Sequence, residues 1–191
     1  MSFDRVISVV NGSLTDGSED ILVNASNTNG NLGSGVSGAI RRACGGTPYQ
    51  EYVHQKLTER FSGPMSPGET LITEAGSHRA KFVAHVAVMD YRRGFTAASY
   101  PDEERLQLCY HSLFEAIEQL EHPGPLGLAM VALGAGTGNI GVRRSTELGC
   151  RLLKEHFQRH AHSLIGDVAF YGFELHEYLV VAEVVAAQFS I

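Results

Sequence analysis

Apolar positions along the chain fall into short runs and one-sided stripes that alternate. Arg5 to Val10 is a β-branched run closed by the turn dipeptide Asn11-Gly12, and predicts a first strand. Ile21 to Ala25 is nearly all apolar, which predicts a strand buried on both faces, as in a parallel sheet under helices. Beyond a polar stretch from Ser26 to Gly35, the residues Val36, Ala39, Ile40 and Ala43 share one helical face, and Gly45-Gly46 ends that helix. Thr47 to Arg60 predicts a second helix, with Pro48 in its first turn. Phe61 to Gly68 holds two prolines and two glycines and reads as a loop.

Glu69 to Glu74 and Lys81 to Met89 predict two strands joined by a turn at Ala75 to His78, and Tyr91 to Tyr100 is irregular. Pro101 opens an amphipathic helix through Leu120, with Leu106, Cys109, Leu113, Ala116, Ile117 and Leu120 at spacings of three and four. Leu126 to Leu133 is an apolar strand that runs straight into a second glycine-rich stretch, Gly134 to Gly141. A helix over Ser145 to His162, a strand over Asp167 to Glu174 and a helix over Glu177 to Gln188 complete the pattern. Strands alternating with helices, with no repeat and no linker, predict one α/β layered domain over residues 1–191.

Composition narrows the function classes. Hydrophobic residues are 43% of the 191 and charged residues 19%, enough for a real core. Net charge is −6 and no basic stripe appears, so there is no strong nucleic-acid signal. No segment reaches the about 20 apolar residues of a membrane helix, and Met1 to Arg5 has neither a basic nor an apolar leader region. Three widely spaced cysteines, Cys44, Cys109 and Cys150, fit a reducing compartment. The expectation is a cytoplasmic protein without membrane contact. His156 and His160 have metal-capable spacing but lack the His-Glu-x-x-His order, and no metal and no cofactor are expected. His85, flanked by Ala84 and Val86 in an apolar strand, reads as a structural histidine.

The chemistry lies in two glycine-rich loops, each between a buried strand and a helix. One runs Asn27-Thr-Asn-Gly-Asn-Leu-Gly33-Ser34-Gly35-Val36-Ser37-Gly38; the other is Gly134-Ala-Gly136-Thr-Gly138-Asn139. Glycine lets backbone approach a ligand closely, and the unsatisfied N–H groups at a helix start suit phosphate. Ligands of open α/β sheets sit beyond the carboxyl ends of the strands. Two such loops can grip a diphosphate from both sides. Gly33-x-Gly35-x-x-Gly38 matches a dinucleotide fingerprint by letter only. Seven residues separate the strand end at Ala25 from Gly33, and the region that should supply a ribose-binding acid is helical. A Rossmann-like oxidoreductase is therefore the weakest alternative, and the absence of Gly-Lys-Ser/Thr excludes a Walker-type P-loop.

Val23-Asn24-Ala25-Ser26-Asn27, then Gly33-Ser34-Gly35-Val36 and Gly38-Ala39-Ile40, resemble the macrodomain family, and Leu133-Gly-Ala-Gly-Thr-Gly is similar to its second phosphate loop. Gly68-Glu-Thr-Leu-Ile-Thr and Lys81-Phe-Val-Ala-His85 match its middle strands. The resemblance implies a three-layer α/β/α fold with a mixed central sheet and an ADP-ribose cleft. It implies that Gly33, Ser34, Gly35 and Val36 hold the diphosphate and distal ribose, and that Gly134, Ala135, Gly136, Thr137, Gly138 and Asn139 close over the diphosphate. Asn27 would bond the distal ribose and is the candidate catalytic residue. Phe173 would lie against the adenine, with Ser13, Leu14 and Ala25 beside the ligand.

Four positions depart from the pattern. Ser13 stands where the family has an adenine-reading aspartate, with Asp16 the nearest and less favoured substitute. Ser37 replaces an aspartate of the hydrolytic members, Gly138 an aromatic of others, and Leu32 an occasional histidine. The partner implied is ADP-ribose or an ADP-ribosylated protein. The activity is either hydrolysis, of ADP-ribosylated protein or O-acetyl-ADP-ribose, or binding without turnover by a reader.

Overall fold

The computed structural model describes residues 5–189; Met1 to Asp4, on which the expectation about a leader region rests, lie outside them. The strands are β1 (Ile7–Asn11), β2 (Ile21–Asn27), β3 (Thr70–Glu74), β4 (Phe82–Met89), β5 (Leu126–Met130) and β6 (Ile165–Gly172). The helices are α1 (Gly35–Cys44), α2 (Thr47–Phe61), α3 (Glu103–Glu118), α4 (Val142–Arg159) and α5 (Leu175–Phe189). One mixed sheet has the order β1-β6-β5-β2-β4-β3, parallel throughout except for the antiparallel edge pair β3–β4. The carboxyl ends of five strands therefore lie along one edge.

The strand β2 lies between β5 and β4, with Ile21 to Asn24 fully buried, as its apolar run predicts. Successive side chains point to opposite faces. Ile21 and Val23 join the core formed with α3, α4 and α5, which contains Leu113, Phe114 and Leu152. Leu22 joins the second core under α1 and α2, with Ile40, Val53 and Leu57. The result is the expected α/β/α sandwich. No helix among the described residues is long and apolar enough to cross a membrane.

Several boundaries differ from the sequence reading: α4 (Val142–Arg159) starts and ends three residues before the expected Ser145 to His162, and three strand ends have a clear cause. The fifth strand stops at Met130 rather than Leu133, because the Leu133 main chain leaves the sheet. Its N–H donates to the Tyr110 hydroxyl (3.4 Å) and its carbonyl accepts from Ser145 Oγ (2.7 Å). The sixth strand stops at Gly172 rather than Glu174, because the N–H groups of Phe173 and Glu174 both donate to Glu177 Oε2 at 3.1 Å and start α5. The second strand runs two residues further than predicted, since β4 pairs with it as far as Asn27.

Candidate functional site

A cleft of about 950 Å³ runs along the carboxyl edge of the sheet. Its floor takes Ala25 from β2 and Val88 and Met89 from β4. One wall is the start of α1, with Ser34, Gly35 and Val36. The facing wall is the loop after β5, with Gly134, Ala135, Gly136, Thr137 and Gly138. Ser13, Leu14 and Phe173 lie at the β1–β6 end. Twelve residues singled out from the sequence thus meet around one cavity. Asn27, Gly33 and Asn139 do not line it.

Local chemistry accounts for each wall. Ser34 is the N-cap of α1 but makes no side-chain cap bond, so the first-turn N–H groups of that helix lack a cap partner. They carry the partial positive charge of a helix N-terminus into the cleft. Gly35 has φ +56°, a conformation that favours glycine. In the facing loop, the N–H groups of Ala135, Asn139 and Ile140 donate to carbonyls of the same loop. Those of Gly136, Thr137 and Gly138 take no part in these internal bonds. A Cβ at Gly138 would lie 2.6 Å from the Gly134 carbonyl oxygen, so the loop closes this tightly only around glycine. Its root is pinned by Tyr110 of α3 and Ser145 of α4 through Leu133.

Asn27 works on its own loop. Its Oδ1 accepts from the N–H groups of Asn29 (3.1 Å) and Asn31 (3.2 Å), and its Nδ2 donates to the Asn31 carbonyl (2.9 Å). That is an Asx-type closure, and it leaves one amide hydrogen unassigned. Leu32 is buried beneath the loop, and its N–H donates to Gln50 Oε1 (2.6 Å). Ser13 Oγ accepts from the Thr15 N–H (3.4 Å) and pairs with Thr15 Oγ1 (2.8 Å). Asp16 lines the cleft at the same end as Ser13.

Phe173 is 67% exposed, yet its backbone is held on both sides. Asn11 Nδ2 donates to its carbonyl (3.2 Å), and Glu177 accepts from its N–H. The ring is an open aromatic face at the cleft end, carried on a backbone held by those bonds. Arg42, Tyr171 and Glu177 also line the cleft, and nothing in the sequence marks Tyr171 or Glu177 as site residues. Arg42 lies on α1 one turn beyond Gly38, which the helical stripe could have indicated. Tyr171 donates to Glu19 Oε2 at 2.9 Å, and burial and that carboxylate raise its pKa.

Beneath α1, Ser37 Oγ donates to Asn24 Oδ1 (2.8 Å) and lies 3.3 Å from the Ala25 carbonyl. Asn24 Nδ2 donates to His85 Nδ1 (3.0 Å), which leaves the proton of the neutral imidazole on Nε2. That N–H faces Thr73 Oγ1 (3.2 Å) and the Tyr49 hydroxyl (3.3 Å). Burial lowers the His85 pKa to about 3, so it is a neutral structural residue, as its sequence context predicts. His156 is likewise committed. Its Nε2 meets Glu118 Oε1 at 2.8 Å and its ring stacks on His160 at 4.4 Å. Among the described residues no group of three His, Cys, Asp or Glu side chains could hold a metal ion.

The Macro domain family model matches residues 23–148. The chain belongs to the Macro domain family. Against an O-acetyl-ADP-ribose deacetylase of Citrobacter koseri it is 28% identical over 155 residues, covering 81% of this chain and 82% of that protein. A Thermotoga maritima protein is 28% identical over 164 residues, 86% of this chain, and this chain spans only 26% of its length. The Trypanosoma brucei macrodomain in complex with ADP-ribose superposes with a TM-score of 0.76 at 23% identity, over 97% of this chain and 71% of that one. The macrodomain fold leaves no place for the oxidoreductase alternative: after the Gly33 to Gly38 run the chain enters helices α1 and α2, with no second strand to carry a ribose acid.

Proposed function

We propose that this chain is a single macrodomain unit that binds ADP-ribose, free or attached to protein. One observation carries the reading: two N–H-rich glycine walls face each other across a cleft that ends at an exposed Phe173 ring. The α1 N-terminus and the Gly134 to Gly138 loop would hold the diphosphate from opposite sides with backbone donors. Phe173 would stack on the adenine, with Ser13, Leu14 and Asp16 along its edge. The distal ribose would then lie towards the Asn27 to Gly33 loop, where the remaining Asn27 amide hydrogen is free to donate to a hydroxyl.

Hydrolysis is the second reading, supported by the deacetylase among the relatives. The charged side chains lining the cleft are Asp16, Arg42 and Glu177, and Glu177 already caps α5. Turnover would therefore rest on water positioned by the bound diphosphate and by Asn27, which orients groups without supplying a strong base. Calorimetric titration with ADP-ribose, with AMP and NAD in the same buffer, tests the binding reading. Preferential ADP-ribose binding supports it; equal or absent binding of all three rejects it. Incubation with O-acetyl-ADP-ribose then separates an enzyme from a reader.

A further inference from the structure

The segment 91–100 between β4 and α3 carries Tyr91, Phe95 and Tyr100, which the cleft does not use. Phe95 stacks on Tyr91 (centroids 5.1 Å apart, 29° between planes) and meets Tyr100 edge-on at 6.0 Å. Phe95 is nonetheless 66% exposed and Tyr100 41%. The segment is built rather than loose. Arg92 forms a two-point pair with Asp90, at 2.9 Å through each nitrogen. Thr96 and Ser99 bond reciprocally around a short 3-10 turn. The Arg105 guanidinium donates to the carbonyls of Ser99 and Ala98, both at 3.1 Å.

Its position is fixed by both walls of the cleft. It leaves the sheet after Met89, which lines the cleft, and the Tyr91 N–H donates to Thr28 Oγ1 (2.9 Å) while its carbonyl accepts from Asn29 Nδ2 (3.4 Å). At the far end, Pro101 packs beside Gly134, within 3.3 Å of where a Cβ on that glycine would stand. The segment thus begins against the first loop and ends against the second. Strand order places β4 three positions from β6, about 14 Å at normal strand spacing, so this aromatic face and Phe173 stand at opposite ends of the cleft.

We propose that the Tyr91–Phe95–Tyr100 face, with Arg93, binds the polypeptide that carries the ADP-ribose. The proposal rests on the ADP-ribose reading above, in which adenine lies at Phe173 and the linked group emerges beside β4. Tyr, Phe and Arg are anchor residues for protein partners. Arg93 is exposed and has no carboxylate partner among the described residues, so it complements an acidic segment around a modified carboxylate.

The test compares three ligands: free ADP-ribose, the same ADP-ribose attached through an uncleavable amide to a short acidic peptide, and the same group on the end of a single-stranded oligonucleotide. Each is titrated into the unmodified chain and into Phe95→Ala and Arg93→Ala. The peptide conjugate is expected to bind about tenfold more tightly than ADP-ribose, an increment typical of one good anchor. Phe95→Ala is expected to remove that gain, leaving ADP-ribose affinity and melting temperature unchanged. A peptide conjugate no tighter than ADP-ribose overturns the proposal alone, as does a Phe95→Ala loss equal for both ligands. A larger gain for the oligonucleotide overturns it in favour of nucleic acid. Failure of the unmodified chain to bind ADP-ribose rejects the cleft reading and this proposal together.

Discussion

Ser37 donates its hydroxyl to Asn24 Oδ1 at 2.8 Å, and that bond turns the side chain into the sheet rather than into the cleft. The position is the one where the family resemblance places an aspartate. Here it is the first link of a buried chain through Asn24 and His85 to Tyr49 and Thr73. Ser37→Ala should cost about 1–2 kcal/mol in urea unfolding, the usual loss when a buried partner is removed, and leave ADP-ribose affinity unchanged. Ser37→Asp should destabilise more, since a carboxylate would be buried without a cation. A Ser37→Asp variant as stable as the parent and newly hydrolytic would contradict this placement.

His85 predicts a pH dependence. Its folded pKa, about 3, lies below the ordinary histidine value of 6.5. The unfolded chain therefore binds the proton first, and stability falls as pH drops from about 6.5 towards 3. The slope from this group approaches one proton, about 1.4 kcal/mol per pH unit. The groups that face it, Asn24, Tyr49 and Thr73, bring no opposite charge to offset the cost. Urea midpoints between pH 4 and 8 should flatten in His85→Gln relative to the parent; parallel curves would mean the imidazole is not held neutral.

Phe173 should matter for binding and not for folding, because its ring is largely in solvent. Phe173→Ala should leave the melting temperature within a degree or so and weaken ADP-ribose by roughly fivefold to a hundredfold, the range for loss of one base–aromatic stack. Binding of ribose 5-phosphate, which has no base, should not change. Equal losses for both ligands would place the adenine elsewhere.

The glycine wall can be tested at Gly138, where a Cβ would stand 2.6 Å from the Gly134 carbonyl oxygen. Gly138→Ala should force the loop open and weaken ADP-ribose at least tenfold with a folded, cooperative melt. Gly124→Ala has nothing within 4 Å of its Cβ and should be silent. Normal binding by Gly138→Ala would show that this loop does not close on the diphosphate.

The layered fold and both glycine loops were legible in the sequence because their signals are local. The apolar run Ile21 to Val23 marks a strand covered on both faces, and a glycine run after a strand marks a loop that must approach something closely. Eight residues of the two glycine loops line one cleft, because parallel strands deliver their following loops to one edge, and the family resemblance added Ser13, Leu14, Ala25 and Phe173 to it. Where each strand stops was less legible. Leu133 and Phe173 look like strand residues by hydropathy, but Tyr110, Ser145 and Glu177 take their backbone groups from outside the ladder.

Side-chain direction was less legible than the elements. Ser37 and Ser13 are small polar residues beside a cleft, and sequence cannot say that Asn24 and Thr15 already hold their hydroxyls. Asn27 has the same ambiguity, resolved towards its own loop by bonds to Asn29 and Asn31. Tyr171 and Glu177 entered the site only by packing. Backbone periodicity is set by neighbours a few residues apart, so the chain itself determined the elements and their order. Ser37 meets its acceptor 13 residues away and Arg5 donates to a carbonyl 160 residues away, and only the folded sheet brings such partners within reach.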